Sequence, residues 1–195
     1  MAFQDHLEFY IKNKISPVRQ DIHDLQRHMD RRKALYQRLG VPSQFITGKN
    51  ILEVGPGSGH NSLFVATCLP SQLILVEPNP VGRNGVFELY SDFSPSHTRP
   101  LVIDKSLEAF DTEYDYDIVI AEAWLGSTDH EVNLIKKISN FVKIGGILIL
   151  TLQSPVGMLA NVLRRLLAYE LVRREDNIAQ KTQILMRAFT HIYPR

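Results

Sequence analysis

From Lys49 onward the chain alternates short apolar runs with segments of helical period, and no other feature constrains its fold as strongly. The runs occupy residues 51–54, 73–76, 101–103, 118–120 and 147–152. Segments with apolar residues at three- and four-residue spacing, 61–69, 81–90 and 131–142, lie between most of them, and a short connection, 106–110, precedes the fourth run. Runs of Ile, Leu and Val without polar alternation require cover on both faces, which a parallel sheet flanked by helices supplies. The expectation is an α/β fold, a doubly wound and mostly parallel sheet. At 195 residues the chain has room for one such domain with a substantial core.

The flanks differ in character. Residues 1–48 read as a helical extension or lid, and residues 49–195 as the main domain. Phe3, Leu7, Tyr10 and Ile11 share one helical face, and Ser16-Pro17 reads as an N-cap followed by proline at the first helical position. Val18, Ile22, Leu25, Met29, Tyr36 and Leu39 then form one face of a helix ended by Gly40 and Pro42. Asp21, Asp24, Arg27, Arg31, Arg32 and Arg38 occupy much of the rest, which reads as solvated. Beyond the fifth run, Pro155 opens a helix carrying Met158, Leu159, Val162, Leu163, Leu166, Leu167 and Leu171. Residues 183–193, QILMRAFTHIY, read as a sixth strand.

Composition narrows the setting. A formal net charge of +1 gives no general field for a polyanion, so a nucleic-acid partner is disfavoured. The single cysteine, Cys68, sits in an apolar stretch and reads as a small core residue in a reducing compartment. The N-terminus lacks the organisation of a signal peptide, and no window approaches the ~20 apolar residues needed to span a bilayer. A cytoplasmic location is expected.

The chemistry is concentrated at residues 51–59, ILEVGPGSG, where an apolar strand runs into a glycine-rich turn and then a helix. Such a turn lets a ligand approach the backbone without side-chain collision, and amides at the helix start favour electronegative atoms. A dinucleotide fingerprint, G-x-G-x-x-G, does not fit. Starting at Gly55 its third glycine would be His60, and starting at Gly57 it would be Ser62. The pattern present is E-x-G-x-G-x-G, formed by Glu53, Gly55, Gly57 and Gly59.

That pattern resembles motif I of the class I S-adenosylmethionine-dependent methyltransferases. Four further features stand in the family's order: Glu77 ending the second strand, Asp104 ending the third, Glu122-Ala123-Trp124 ending the fourth, and Gly145-Gly146 at the turn into the fifth. The resemblance covers about residues 49–154. It implies a Rossmann-like methyltransferase fold in which Gly55, Gly57 and Gly59 pass under the methionine part of S-adenosylmethionine. Glu53 would help place the ammonium group, Glu77 would bind the ribose hydroxyls and Asp104 would lie near the adenine amino group. The product would be S-adenosylhomocysteine, and no metal is expected.

The family's sheet normally ends in an antiparallel hairpin. Here one candidate strand follows the last helix, so an incomplete hairpin, a shortened variant or a piece of a longer protein are open alternatives. The asparagine-proline tetrad of amino-directed nucleic-acid methyltransferases is absent at the fourth strand, where the chain reads AEAW.

A sulfonium carries its own leaving group, so the protein's task is mainly in-line positioning, with a base needed only if the acceptor must lose a proton. Two residues are candidates for catalysis. Glu122 is either an acceptor contact or base, or a structural hydrogen-bonding group. His130 is either a proton acceptor or a solvated residue at a helix start. Trp124 would wall the pocket or cover the sheet edge, and His60 would approach the cofactor or lie on a helix surface. The expected reaction is methyl transfer to oxygen or nitrogen of a small molecule or a glycan or lipid precursor. The alternative is a cofactor-binding domain without catalysis of its own.

Overall fold

The computed structural model describes residues 3–16, 22–92, 98–123, 129–152 and 154–190. The chain forms two compact units, Met1–Leu152 and Gln153–Arg195. In the first, helices α1 (Phe3–Lys12), α2 (Leu25–Arg38) and α3 (Ser43–Ile46) precede β1 (Asn50–Val54). There follow α4 (His60–Thr67), β2 (Gln72–Val76), α5 (Pro80–Asp92), β3 (Leu101–Ile103), β4 (Tyr116–Ala121), α6 (Asp129–Ser139) and β5 (Val142–Leu150). The five strands form one sheet in the order β3-β2-β1-β4-β5, and every pairing is parallel. The expected doubly wound sheet is present.

Side-chain alternation along the buried strands creates two cores. Ile51, Leu73, Leu75, Ile118 and Ile120 share one face with Tyr36 of α2, with Leu63, Phe64 and Val65 of α4, and with Val86 and Leu89 of α5. Leu52, Val54, Ile74, Val76 and Val119 point the other way, to Leu107, Phe110, Leu134, Ile138 and Phe141. Cys68 is buried in the first core, as its apolar setting predicts. Burial of side chains this size contributes ~1.5–3 kcal/mol apiece before entropy is counted.

Three boundaries differ from the sequence expectation. Helix α2 begins at Leu25, because Asp24 caps it by accepting the Arg27 N–H at 2.9 Å. The cap expected from Ser16-Pro17 falls against residues 17–21, which lie outside the described residues. Helix α6 stops at Ser139, three residues short of the expected 142, because Val142 is claimed by the sheet, opposite Tyr116. Residues 178–189 form helix α8 (Ile178–Phe189), so the expected sixth strand is corrected for all but its last residues, which are outside the described ones. Asn177 caps α8, its Oδ1 accepting the Ala179 N–H at 2.8 Å and the Gln180 N–H at 3.2 Å. Ile178, Thr182, Leu185 and Phe189 then recur at helical spacing, among residues that favour helix.

The second unit consists of α7 (Pro155–Val172) and α8. Ser154 caps α7 by accepting the Gly157 N–H at 3.0 Å, with Pro155 at the first helical position. Among the described residues no helix is long and apolar enough to cross a membrane.

Gly145 and Gly146 lie within β5 rather than ahead of it. Tyr116 pairs with Val142 and Ile118 with Ile147, so a bulge opposite Asp117 holds residues 143–146. The two glycines serve it differently. Gly145 has φ +80° in open space, whereas a Cβ on Gly146 would stand 2.9 Å from the Asp117 and Lys143 carbonyl oxygens. Gly146→Ala is therefore expected to destabilise the fold by ~2–3 kcal/mol through displaced backbone, and Gly145→Ala by ~1 kcal/mol through its dihedral alone. Urea denaturation midpoints compare the two, and equal losses would refute the crowding argument.

Candidate active site

The sheet order places a topological switch between β1 and β4, with β2 and β3 on one side and β5 on the other. In open α/β sheets the crevice for a ligand lies outside the carboxyl ends of the strands at this point. Glu53, the glycine turn and Glu122 all converge there. Asp117 sits at the opposite end of β4, where it accepts the Asn50 N–H at 2.8 Å and pairs with Lys143.

The turn is built on left-handed backbone. Gly55, Gly57 and Gly59 have φ of 71°, 59° and 77°, a region costly for residues with a Cβ. At Gly59 a Cβ would also stand 3.0 Å from Val86 Cγ2. The Gly55 N–H donates to the Val76 carbonyl at 2.9 Å, which continues the β1–β2 ladder into the turn.

Glu77 braces this turn against the next one. Its Oε2 accepts the Gly57 N–H at 2.9 Å and its Oε1 the Asn79 N–H at 2.8 Å, while the residue is only 6% exposed. Burial raises its carboxyl, opposed by those two N–H groups and by Arg83. A carboxylate has about four lone-pair positions, so two remain to accept further donors.

Asp104, at the end of β3, is 69% exposed and pairs with Arg83 at 2.6 Å. Arg83 Nη1 also donates to the Glu77 carbonyl at 3.0 Å and the Pro78 carbonyl at 2.8 Å, so one guanidinium links the ends of β2 and β3. Neither Arg83 nor Gly82 stands out in the sequence as a site residue. A Cβ on Gly82 would lie 3.0 Å from the Gly57 carbonyl oxygen, and a glycine inside a helical segment was the signal available for that close approach.

The main surprise is α2. Its buried stripe is polar: His28, Arg32 and Tyr36, four residues apart, are all buried, whereas Leu35 and Leu39 are exposed. The expectation that Arg32 belongs to a solvated face is thus overturned. The cause lies across the interface, where Glu53 and Glu122 emerge on the same face of neighbouring strands, Glu53 opposite Ile120 and Glu122 two residues beyond it. Arg32 Nη2 donates to Glu122 Oε1 at 2.8 Å, with both side chains 10% exposed. The Tyr36 hydroxyl donates to the same oxygen at 3.3 Å, and the Arg32 guanidinium lies 5.1 Å from the Tyr36 ring centre. His28 Nε2 bonds the His60 carbonyl at 2.9 Å, tying α2 to the first residue of α4. Immediately after Glu122, Ala123 takes a left-handed φ of 65°, which turns the chain sharply at the strand end.

Glu53 is 4% exposed, and its Oε2 has no hydrogen-bond partner. Burial, reinforced by the charge of Glu122, raises its carboxyl to about 7, against smaller opposing effects of Ser62 and Arg32. The Ser62 hydroxyl is near but outside hydrogen-bonding geometry.

His130 stands apart from this cluster. It lies in the first turn of α6 and pairs with Glu108 at 3.3 Å, with its side chain 54% exposed. Trp124 lies outside the described residues. The structure therefore gathers Glu53, the glycine turn, Glu77 and Glu122 at the carboxyl ends of β1, β2 and β4, ties Asp104 to them through Arg83, and leaves His130 in a surface pair.

The chain matches a family model described as a methyltransferase domain over residues 22–192, and it belongs to that family. Its fold is similar to the N-methyltransferase NodS from Bradyrhizobium japonicum WM9, solved with S-adenosylhomocysteine. The TM-score is 0.55 at 18% identity, over 75% of this chain and 70% of that one. It is also similar to magnesium protoporphyrin IX methyltransferase from Synechocystis PCC 6803, solved with S-adenosylmethionine, with TM-score 0.56 and 12% identity over 72% and 71%. Coclaurine N-methyltransferase, bound to N-methylheliamine and S-adenosylhomocysteine, aligns with TM-score 0.53 and 17% identity over 68% of this chain and 37% of its own. The chain thus spans little more than a third of that enzyme. At these identities the likeness is one of fold. No curated protein matches the chain.

The raised Glu53 carboxyl has a consequence for stability. A group held near 7 in the folded protein and near 4.5 when unfolded stabilises the fold below about 4.5. That contribution is lost as pH rises to about 7, on the order of 3 kcal/mol in all. Glu53→Gln is expected to flatten the fall in Tm between about pH 5 and 8. A variant curve parallel to the wild type would show that Glu53 is ionised throughout.

Proposed function

We propose that the chain is an S-adenosylmethionine-dependent methyltransferase acting at oxygen or nitrogen of a small molecule or a glycan or lipid precursor. The observation that carries this reading is the left-handed Gly55–Gly57–Gly59 turn, braced by Glu77 at the switch point of a methyltransferase-family fold. The residues fit the cofactor. The turn offers backbone without side chains, Glu77 keeps two acceptor positions for ribose hydroxyls, and the unpartnered Glu53 Oε2 suits an ammonium group. Asp104, on the rim, would face the adenine amino group. When bound, the sulfonium supplies an activated methyl group, and the chain's residues hold and orient what surrounds it.

The functional division falls at residues 48 and 49. The segment 1–48 contributes the stripe of α2, and residues 49–195 carry the cofactor-binding turn. Glu122 is the candidate contact on the acceptor side, and His130 a secondary candidate should the acceptor bridge to α6. The neutral charge balance favours a small acceptor over nucleic acid, and the reading includes a cytoplasmic setting.

One observation favours the alternative of a cofactor-binding domain without catalysis. Glu122 is held by Arg32 and Tyr36, which gives it a structural hydrogen-bonding role. Turnover separates the two, because methyl transfer releases S-adenosylhomocysteine whatever the acceptor. A coupled homocysteine-release screen across amine, hydroxyl and carboxylate acceptors is expected to find one class active. Binding without release from any class would support the alternative.

Calorimetric titration tests the cofactor assignment itself. S-adenosylhomocysteine and S-adenosylmethionine are expected to bind at least tenfold more tightly than NAD, about 1.4 kcal/mol. Glu77→Ala should weaken both by a further tenfold or more, through loss of the brace and of the ribose acceptor. Preference for NAD would sink the assignment.

A further inference from the structure

Charge accounting in the buried cluster goes beyond the identity of the cofactor, although it rests on the reading above. Several groups among the described residues act on Glu53. Arg32 and Tyr36 face it from α2, Glu122 from the end of β4, Ser62 from α4, Glu77 from the end of β2 and Tyr90 from α5. Arg32 is the cation of this set, and its contact is with Glu122 rather than Glu53. Glu53 and Glu122 together would carry two negative charges beside one guanidinium, almost without solvent. Ionising both leaves an uncompensated buried charge, which a protein avoids by keeping a proton. The bare Oε2 of Glu53 is the place for it, since Glu122 already accepts two donors.

We infer that Glu53 carries a proton in the free protein and gives it up when a sulfonium-bearing cofactor binds, so that the site tells donor from product by charge. S-adenosylmethionine brings a sulfonium and a zwitterionic amino-acid end, with a net charge of +1. S-adenosylhomocysteine brings the same end without the sulfonium. The donor compensates the second carboxylate and the released proton goes to solvent. The product compensates it less, and Glu53 regains the proton. Glu53 is thereby a specificity-determining residue that favours exchange of spent cofactor for fresh, and its own protonation is the means. The carboxyl's position near 7 puts this exchange in the neutral range.

Titration calorimetry in buffers of different ionisation enthalpy counts the protons. At about pH 7 a group titrating near 7 is half protonated, so S-adenosylmethionine should release about half a proton more from the wild type than from Glu53→Gln. With S-adenosylhomocysteine the corresponding difference should be clearly smaller. Equal proton counts for wild type and variant would overturn the inference while leaving the cofactor assignment intact. Failure of both ligands to bind would overturn both. A second measurement requires no variant. The affinity ratio of donor to product for the wild type should rise by up to about tenfold between about pH 6 and 8. A ratio constant with pH refutes the inference even if Glu53→Gln fails to fold.

Discussion

The buried contact between Arg32 and Glu122 is the constraint on which the arrangement of the site depends. Parallel alternation in β1 and β4 sends Glu53 and Glu122 to the same face, over an otherwise apolar core. Two carboxylates there cannot be left to aliphatic side chains, so the helix that covers them must bring a cation. Breaking such a pair costs more than the pair itself contributes, because the surviving charge is stranded away from water. The polar stripe of α2 is therefore fixed by the sheet it covers. With Arg32 on Glu122 and His28 on the His60 carbonyl, Tyr36 lies against Phe64 at 5.3 Å between ring centres. The N-terminal segment is in this sense a wall of the crevice.

A second set of contacts keeps the mouth of the crevice in shape. Glu77 joins the turn after β1 to the turn after β2, and Asn79 continues the link. Its Oδ1 accepts the Val81 N–H at 3.0 Å, while its Nδ2 donates to the Ile15 carbonyl at 2.9 Å. The Ser58 hydroxyl donates to that of Ser16 at 2.9 Å. Residues 15 and 16 thus touch both turns, so the chain just after α1 shares their polar network. Preorganisation of this kind lowers the ordering cost of binding, since the two turns are already held in shape by contacts within the chain.

How much of this was legible in the sequence follows from what each signal measures. Continuous apolar runs report burial on two faces, and five of them sufficed for the sheet. Three alternate glycines mark a turn without side chains, and the structure adds that Gly55, Gly57 and Gly59 are all left-handed. Periodicity failed where a residue's role is set from across an interface. Arg32 falls in phase with His28 and Tyr36, but an arginine on a helix reads as solvated until a buried carboxylate is known to face it. Residues 183–189 misled for another reason: their β-compatible side chains were outvoted by the Asn177 cap and by helix-forming neighbours, both local effects. Gly145-Gly146 marked irregular backbone correctly, yet the irregularity is a bulge inside β5, a distinction that only the pairing with β4 reveals.

The contact between Arg32 and Glu122 bears on how methyl transfer would proceed at such a site. Glu122 Oε1 accepts from a guanidinium and a phenol, which fixes the orientation of its carboxyl group. Burial raises the Tyr36 hydroxyl well above its ordinary value, so it stays a donor at neutral pH and keeps that hold on Glu122. An acceptor that had to lose its proton to Glu122 would reach it through Oε2, because Oε1 already accepts from Arg32 and Tyr36. One that attacks with a lone pair already available, as an unprotonated amine does, requires only alignment. A protonated amine has no lone pair to offer and would have to lose its proton before it could attack. For an acceptor with its lone pair free, proximity and orientation would carry most of the lowering of the barrier.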